Sequence, residues 1–179
     1  NYAGYSTTTG GLGNTAIGYQ ALYTSQVSLR NTAIGYQALY THNFGSTDYG
    51  NNIAIGYVSL KALTDGQRNI GIGSEAGDTL TTGDDNIAIG YQAGVSLITG
   101  DDNTIVGNYA GANLTDNSAQ TLYGYKAGQH LITGAGKNTL IGFYAGIKLG
   151  HGDCDNNTAL GYNALGGGHD TETGNTANN

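Results

Sequence analysis

The chain has 179 residues, among them 32 Gly and 14 Tyr but no Pro, Met or Trp. Only 11% are charged, against about 25% in ordinary domains. The apolar 38% is mostly Ala, Ile, Leu and Tyr, which suits a thin layer better than a globular core. Disorder is excluded by the low charge and the regular placing of Ile, Leu and Tyr. Collagen is excluded by the lack of Pro and of a Gly at every third residue. A formal charge of −7 rules against nucleic acid and anionic membranes as partners, because both require clustered positive charge. No apolar run reaches the roughly 18–20 residues of a membrane span, so no membrane insertion is expected. Cys154 is the sole cysteine, so no disulfide forms within the chain.

In chain order the sequence is one unit written nine times. A recurring Gly stands at 18, 35, 56, 73, 90, 107, 124, 142 and 161, with spacings of 17, 21, 17, 17, 17, 17, 18 and 19. Four residues before each Gly is Asn (Asn14, Asn31, Asn52, Asn69, Asn86, Asn103, Asn138, Asn157), or Gln120 in one copy. Three residues after it is Ala, or Ser59 in the third copy. Asn31, Ile34, Gly35 and Ala38, then Asn52, Ile55 and Gly56, then Asn86, Ile89 and Gly90 carry this frame. A period of 17 is the mark of a solenoid, whose units bury an apolar face only by stacking.

Between Asn and Gly the residues alternate with period two, the strand signal. Ile53, Ile55 and Tyr57 share one face, and Ala54 and Gly56 share the other. A second apolar stretch follows, with Leu directly after the Ala (Leu22, Leu39, Leu165) or three residues later (Leu80, Leu97, Leu114, Leu131, Leu149). It is expected to be a second, shorter strand. Turn residues such as Thr82-Gly83-Asp84-Asp85 separate the copies. The insertions at 43–50, 134–137 and 151–155 also fall between strands. The expected fold is all-β, a parallel β-roll or β-solenoid of about nine coils. Residues 1–13 read as a degenerate first coil or junction, 14–168 as the repeat domain, and 169–179 as a partial coil or junction. Stacked Asn residues are expected to form an amide ladder.

Two assignments of the strand faces are open at this point. Either Ile fills the roll and the bare Ala/Gly face meets another sheet, or Ala and Gly fill a narrow roll and Ile and Tyr meet across an interface. Both need a partner, so a homotrimer is expected with its axis along the stack.

The run Asn-Thr-Ala-Ile-Gly-Tyr-Gln-Ala-Leu, at 14–22 and 31–39, resembles the β-roll head repeats of trimeric autotransporter adhesins. It is even more similar to the tandem repeats of phage tail fibres and tail-fibre-like bacterial surface proteins. The resemblance spans about 14–165. It implies a left-handed parallel roll, three chains around one axis, and a place on a virion or cell surface. It also implies a structural fibre or adhesin segment that presents a surface to a glycan or protein receptor.

The residues offer little chemistry of their own, and no enzyme is expected. Asp84, Asp85, Asp101 and Asp102 occupy equivalent turns of successive coils, and stacked carboxylates are oxygen ligands for a shared calcium. No other cofactor is indicated. Asp is equally a good turn residue. His151 and Cys154 have the spacing that begins a transition-metal site, whereas His42, His130 and His169 are scattered and read as solvated. The tyrosine column (Tyr19, Tyr36, Tyr57, Tyr91, Tyr125, Tyr162) suits either packing or stacking on sugar faces. Alternatives to the fibre are a filament of units stacked end to end, since open roll ends expose strand edges, or a monomeric calcium- or ice-binding solenoid. The Thr ladder is broken by Ile53, Ile70 and Ile87, which argues against ice.

Overall fold

The computed structural model describes residues 3–4, 12–24, 29–42, 50–132, 136–150 and 154–166. Most of the segments read as junctions at 1–13 and 169–179, most of the three insertions, His151 and His169 lie outside the described residues. Nine strands form one parallel sheet in sequence order: β1 (Thr15–Ile17), β2 (Thr32–Ile34), β3 (Ile53–Ile55), β4 (Ile70–Ile72), β5 (Ile87–Ile89), β6 (Thr104–Val106), β7 (Thr121–Tyr123), β8 (Thr139–Ile141) and β9 (Thr158–Leu160). Register follows the repeat, so Ile55 pairs with Ile72 and Ile72 with Ile89. Each coil donates to both neighbours: Ile70 N–H to Asn86 O, and Gly73 N–H to Ile55 O. Eight steps of about 4.8 Å make a stack close to 40 Å long.

The second apolar stretch is a chain of turns, not a strand. Residues 74–79 and their equivalents are turns, with left-handed backbone at alternate positions: φ is +60° at Glu75 and +59° at Gly77. The same conformation falls on Gln20, Gln37, Val58, Gln92 and Lys126, residue types that carry no turn signal. The rungs persist all the same, with Gln92 N–H donating to Ser74 O and Gly77 N–H to Ala93 O. This is why the stretch reads as extended in sequence.

The repeat Gly has a φ between 123° and 139° in every coil, a region open essentially to glycine alone. A Cβ on Gly56 would also collide with the carbonyl of Gly73. The φ recurs at each rung and the close approach at every rung but that of Gly161, which accounts for the recurrence of Gly at this position.

The structure settles the strand faces. Ala33, Ala54, Ala88 and Ala159 at the strand centres are buried, with Ile105, Leu122 and Leu140 in β6–β8. The flanking Ile residues point outward. Ala and Gly therefore fill a narrow interior, and the reading with Ile inside is corrected. The reason is volume. Ala33 and Ala54 leave room for Leu39 and Leu60 four residues after the repeat Gly, at the strained φ of 52° and 46°. Where the strand centre grows to Leu122, Gly111 and Gly128 stand in that place. A Cβ on Gly111 would meet Leu114 Cδ1 at 2.7 Å and Leu122 Cδ1 at 2.9 Å. Close packing bars a large residue from this place beside Leu122; the coils of Gly71 and Ala88 also carry Gly there, at Gly77 and Gly94.

His42 corrects another expectation: it is fully buried. Its place in the repeat is that of Leu63 and Leu80, so it stands in the leucine column. Asn52 Nδ2 donates to its Nε2 at 3.4 Å, which puts the proton of the neutral ring on Nδ1. Desolvation lowers its pKa to about 4, against smaller opposing effects of a Thr64 backbone hydrogen bond and the Asp65 charge. The unfolded chain therefore binds a proton that the fold rejects between about 6.5 and 4. Stability is complete above the upper value and falls as the pH drops, by about 3 kcal/mol at the lower one. His42→Leu is expected to remove this part of the dependence, read by denaturant unfolding at pH 7 and pH 4.5.

Candidate functional site

The outward face of the sheet is partly exposed along its described length. One column runs Thr15, Thr32, Ile53, Ile70, Ile87, Thr104, Thr121, Thr139, Thr158. Beside it run Ile17, Ile34, Ile55, Ile72, Ile89, Val106, Tyr123, Ile141 and Leu160. No side chain in either column is charged. Ile17 and Tyr123 are each 58% exposed, and the Ile residues between them are partly covered by their neighbours above and below. Two columns over nine strands make an uncharged strip of roughly 400 Å², apolar along the Ile column and mixed with Thr hydroxyls along the other.

At the corner where the chain leaves the sheet stands the tyrosine column. Tyr19, Tyr36 and Tyr57 stack face to face, with centroids 5.4 and 5.3 Å apart. Tyr125, Phe143 and Tyr162 continue the stack at 4.9 and 5.8 Å. Tyr109 turns edge-on into the place that Asn108 leaves empty, 5.2 Å from Tyr91 and 6.1 Å from Tyr125. Stacked rings cover one another's faces, so within the runs the column shows edges and hydroxyls to solvent. Sugar stacking needs a free face, and those occur only where a run ends.

The Asn column holds the coils together. Each Asn Oδ1 accepts the backbone N–H of the corresponding residue one coil on: Asn31 from Asn52, Asn52 from Asn69 and Asn69 from Asn86, at 2.8–2.9 Å. The Nδ2 groups of Asn52, Asn69, Asn86 and Asn103 donate to carbonyls fourteen residues on, at Gly66, Gly83, Gly100 and Asn117. Amide-to-amide bonds, the arrangement expected from sequence, join Asn86 to Asn69 and Asn103 to Asn86 in addition. The equivalent acceptors for Asn31 and Asn138 lie outside the described residues.

The acidic turns use the same device. Asp84 Oδ1 accepts the Gln67 N–H, and Asp101 Oδ1 accepts the Asp84 N–H, both at 2.8 Å. One coil on, Ser118 Oγ takes over this role for the Asp101 N–H. Asp85 meets Arg68 through both oxygens at 2.6 and 2.7 Å, and this hydrogen bonding holds its carboxyl below the usual range. Asp102 is exposed, with a left-handed backbone at φ +58°. Among the described residues no three His, Cys, Asp or Glu side chains converge to hold a metal. Cys154 is buried, while His130 is exposed and meets Asn113 Nδ2 at 3.3 Å.

No protein-family model matches the chain, and no curated protein or solved structure matches it either.

If the carboxylates act as rung acceptors, Asp101→Asn keeps the acceptor oxygen and leaves the melting temperature nearly unchanged. Asp101→Ala loses it and costs about 1 kcal/mol. Equal losses in both variants, with calcium raising the melting temperature of the unmodified chain alone, would assign the charge to a cation instead.

Proposed function

We propose that the protein is a structural fibre or adhesin segment, a stiff rod assembled from three copies of the chain through the outward sheet face. The observation that carries this is the uncharged Thr/Ile strip along all nine strands. Continuous apolar strips of several hundred Å² mark interaction surfaces, and parallel sheets are ordinarily covered on both faces. Here the interior covers one face, so the other is left for a partner. The occupant we favour is another copy of the chain. A straight, regular strip is complementary in shape to itself, and rotation about an axis parallel to the stack brings every rung of one copy level with the same rung of the next.

The resemblance of the repeat to adhesin heads and phage tail fibres supports three copies and an extracellular place, on a virion or a bacterial surface. A rod that grows by adding 17-residue coils sets a distance and carries load. Receptor contacts, to a glycan or a protein, then fall to the rims and turns, which the assembly leaves in solvent.

Sedimentation equilibrium tests the proposal. The expected mass is about 55 kDa, three chains of 18.3 kDa. The double variant Ile55→Arg, Ile89→Arg is expected to sediment as a folded single chain. Ala54→Arg with Ala88→Arg places charge in the interior and is expected to unfold the stack. A folded single-chain mass for the unmodified protein would overturn the assembly, and a mass rising without limit with concentration would replace it with an end-to-end filament.

A further inference from the structure

Among the described residues, tyrosine stacks on tyrosine only in the first three coils. Tyr19, Tyr36 and Tyr57 follow the repeat Gly there in succession. Their ring centres lie 5.4 and 5.3 Å apart, with 15° between the planes of each pair. Four residues further along, Tyr23 and Tyr40 repeat the arrangement at 5.2 Å and 3°. Beyond Tyr57 the column changes character. Ser74 and Asn108 take the place in the fourth and sixth coils, and Phe143 in the eighth. Tyr91, Tyr109 and Tyr125 meet edge to face, at 90° and 88°, and Tyr144 is tilted by 51° against Tyr125. The three stacked column rings are 44%, 43% and 54% exposed, so their rims reach solvent although their faces are covered.

Orientation matters for one reaction of phenols. A tyrosine that loses an electron and a proton becomes a phenoxyl radical, with spin density on the two Cε carbons beside the oxygen-bearing carbon. That density lies above and below the ring plane. In a parallel stack the lobes of neighbouring rings face each other, whereas an edge-on ring turns its nodal plane to its neighbour. Rungs about 4.8 Å apart hold the stacked rings in this orientation before any radical forms, and such pre-alignment is what accelerates a step between two groups.

We propose that Tyr19, Tyr36 and Tyr57, with Tyr23 and Tyr40 beside them, are a site of oxidative tyrosine-to-tyrosine cross-linking between successive coils, the co-reactant being a one-electron oxidant of the peroxidase class. Each of two stacked rings gives up one electron and one proton, and hydrogen peroxide takes up both pairs and leaves as two waters. One carbon–carbon bond forms between a Cε of each ring. Each of these carbons then loses its proton as each phenolic oxygen regains one, so both rings are aromatic again and the pair has lost two hydrogens. The phenylalanine at 143 has no hydroxyl to oxidise, so the stack of Tyr125, Phe143 and Tyr162 cannot react in this way. The links close loops of 17 residues between Tyr19 and Tyr36 and 21 between Tyr36 and Tyr57, the second spanning the insertion at 43–50. Each joins two coils of one chain, and the site does not depend on the assembly proposed above.

The test is to treat the full chain, dilute and in its native assembly, with a peroxidase and hydrogen peroxide, then to denature it and digest it with trypsin. Cleavage after Arg30 and Lys61 makes Tyr19–Tyr36 and Tyr23–Tyr40 links join peptides 1–30 and 31–61, while a Tyr36–Tyr57 link is internal to 31–61. Peptide fragmentation is expected to assign the links to these three pairs, each with the loss of two hydrogens, in a chain that keeps its single-chain mass in denaturant. Tyr91 and Tyr109, with centres only 5.2 Å apart but edge-on, are expected to link at least tenfold less. Tyr36→Phe keeps the stack, as Phe143 does at 4.9 and 5.8 Å from Tyr125 and Tyr162. It is expected to abolish both column links and spare Tyr23–Tyr40. Should it lose the native spectrum, Tyr19→Phe serves instead and is expected to remove the Tyr19–Tyr36 link alone. The linked chain is expected to melt roughly 5–10 °C higher, because a cross-link restricts the unfolded chain. Absence of the column links, equal yield at Tyr91–Tyr109, the same pattern in chain oxidised while denatured, or links between chains alone would overturn the site.

Discussion

Each coil must repeat its neighbour at one hydrogen-bond spacing, and the other features of the chain follow from that constraint. Strand amides and carbonyls pair with the coils before and after. The turns between strands are under the same demand, because a coil that drifts at its corner cannot pair at its next strand. Three devices meet it. Asn Oδ1 accepts a backbone N–H from the adjacent coil where the strand begins. The repeat Gly turns the corner at a φ that other residues avoid. Asp, or Ser118, accepts the N–H of the outer turn. The Asn acceptors satisfy buried backbone N–H groups that would otherwise stand unpaired at a cost of about 1–3 kcal/mol.

The tightness of the coil decides what faces outward. An interior lined by Ala and by one or two Leu in most coils has no room for the flanking strand Ile residues. They are turned to the outer face, where they make an apolar strip too regular to be incidental. The inner volume thus sets the outer chemistry: a wider roll would have swallowed the Ile column. The tyrosine column is a similar by-product of exact repetition.

Much of this was legible in the sequence, because a strict repeat displays its own register. The Asn, Gly and Ala positions, the strand triplets and the parallel order all come from the spacing. The orientation of the strands did not, since alternation separates two faces without saying which is inside. The volume exchange between Leu60 and Leu122 was present in the sequence but is interpretable only once both are known to share one interior. The turns at Glu75 and Gln92 were hidden because a left-handed backbone on such residues is imposed by the rungs above and below, not by local preference. His42 was misread as solvated although its alignment with Leu63 marks it as interior. The acids offer carboxylates to a cation by residue type; in the structure Asp84 and Asp101 each accept a backbone N–H and Asp85 meets Arg68.

The most direct test of the stack is nuclear magnetic resonance detection of couplings across hydrogen bonds. The backbone nitrogens of Asn69, Asn86 and Asn103 should each couple to the side-chain carbonyl carbon of the Asn one coil earlier: Asn52, Asn69 and Asn86. A ladder of three such cross-peaks would establish side-chain clamping of successive coils in register. Couplings from these nitrogens to backbone carbonyls instead, or rapid solvent exchange of their protons in a folded sample, would contradict it.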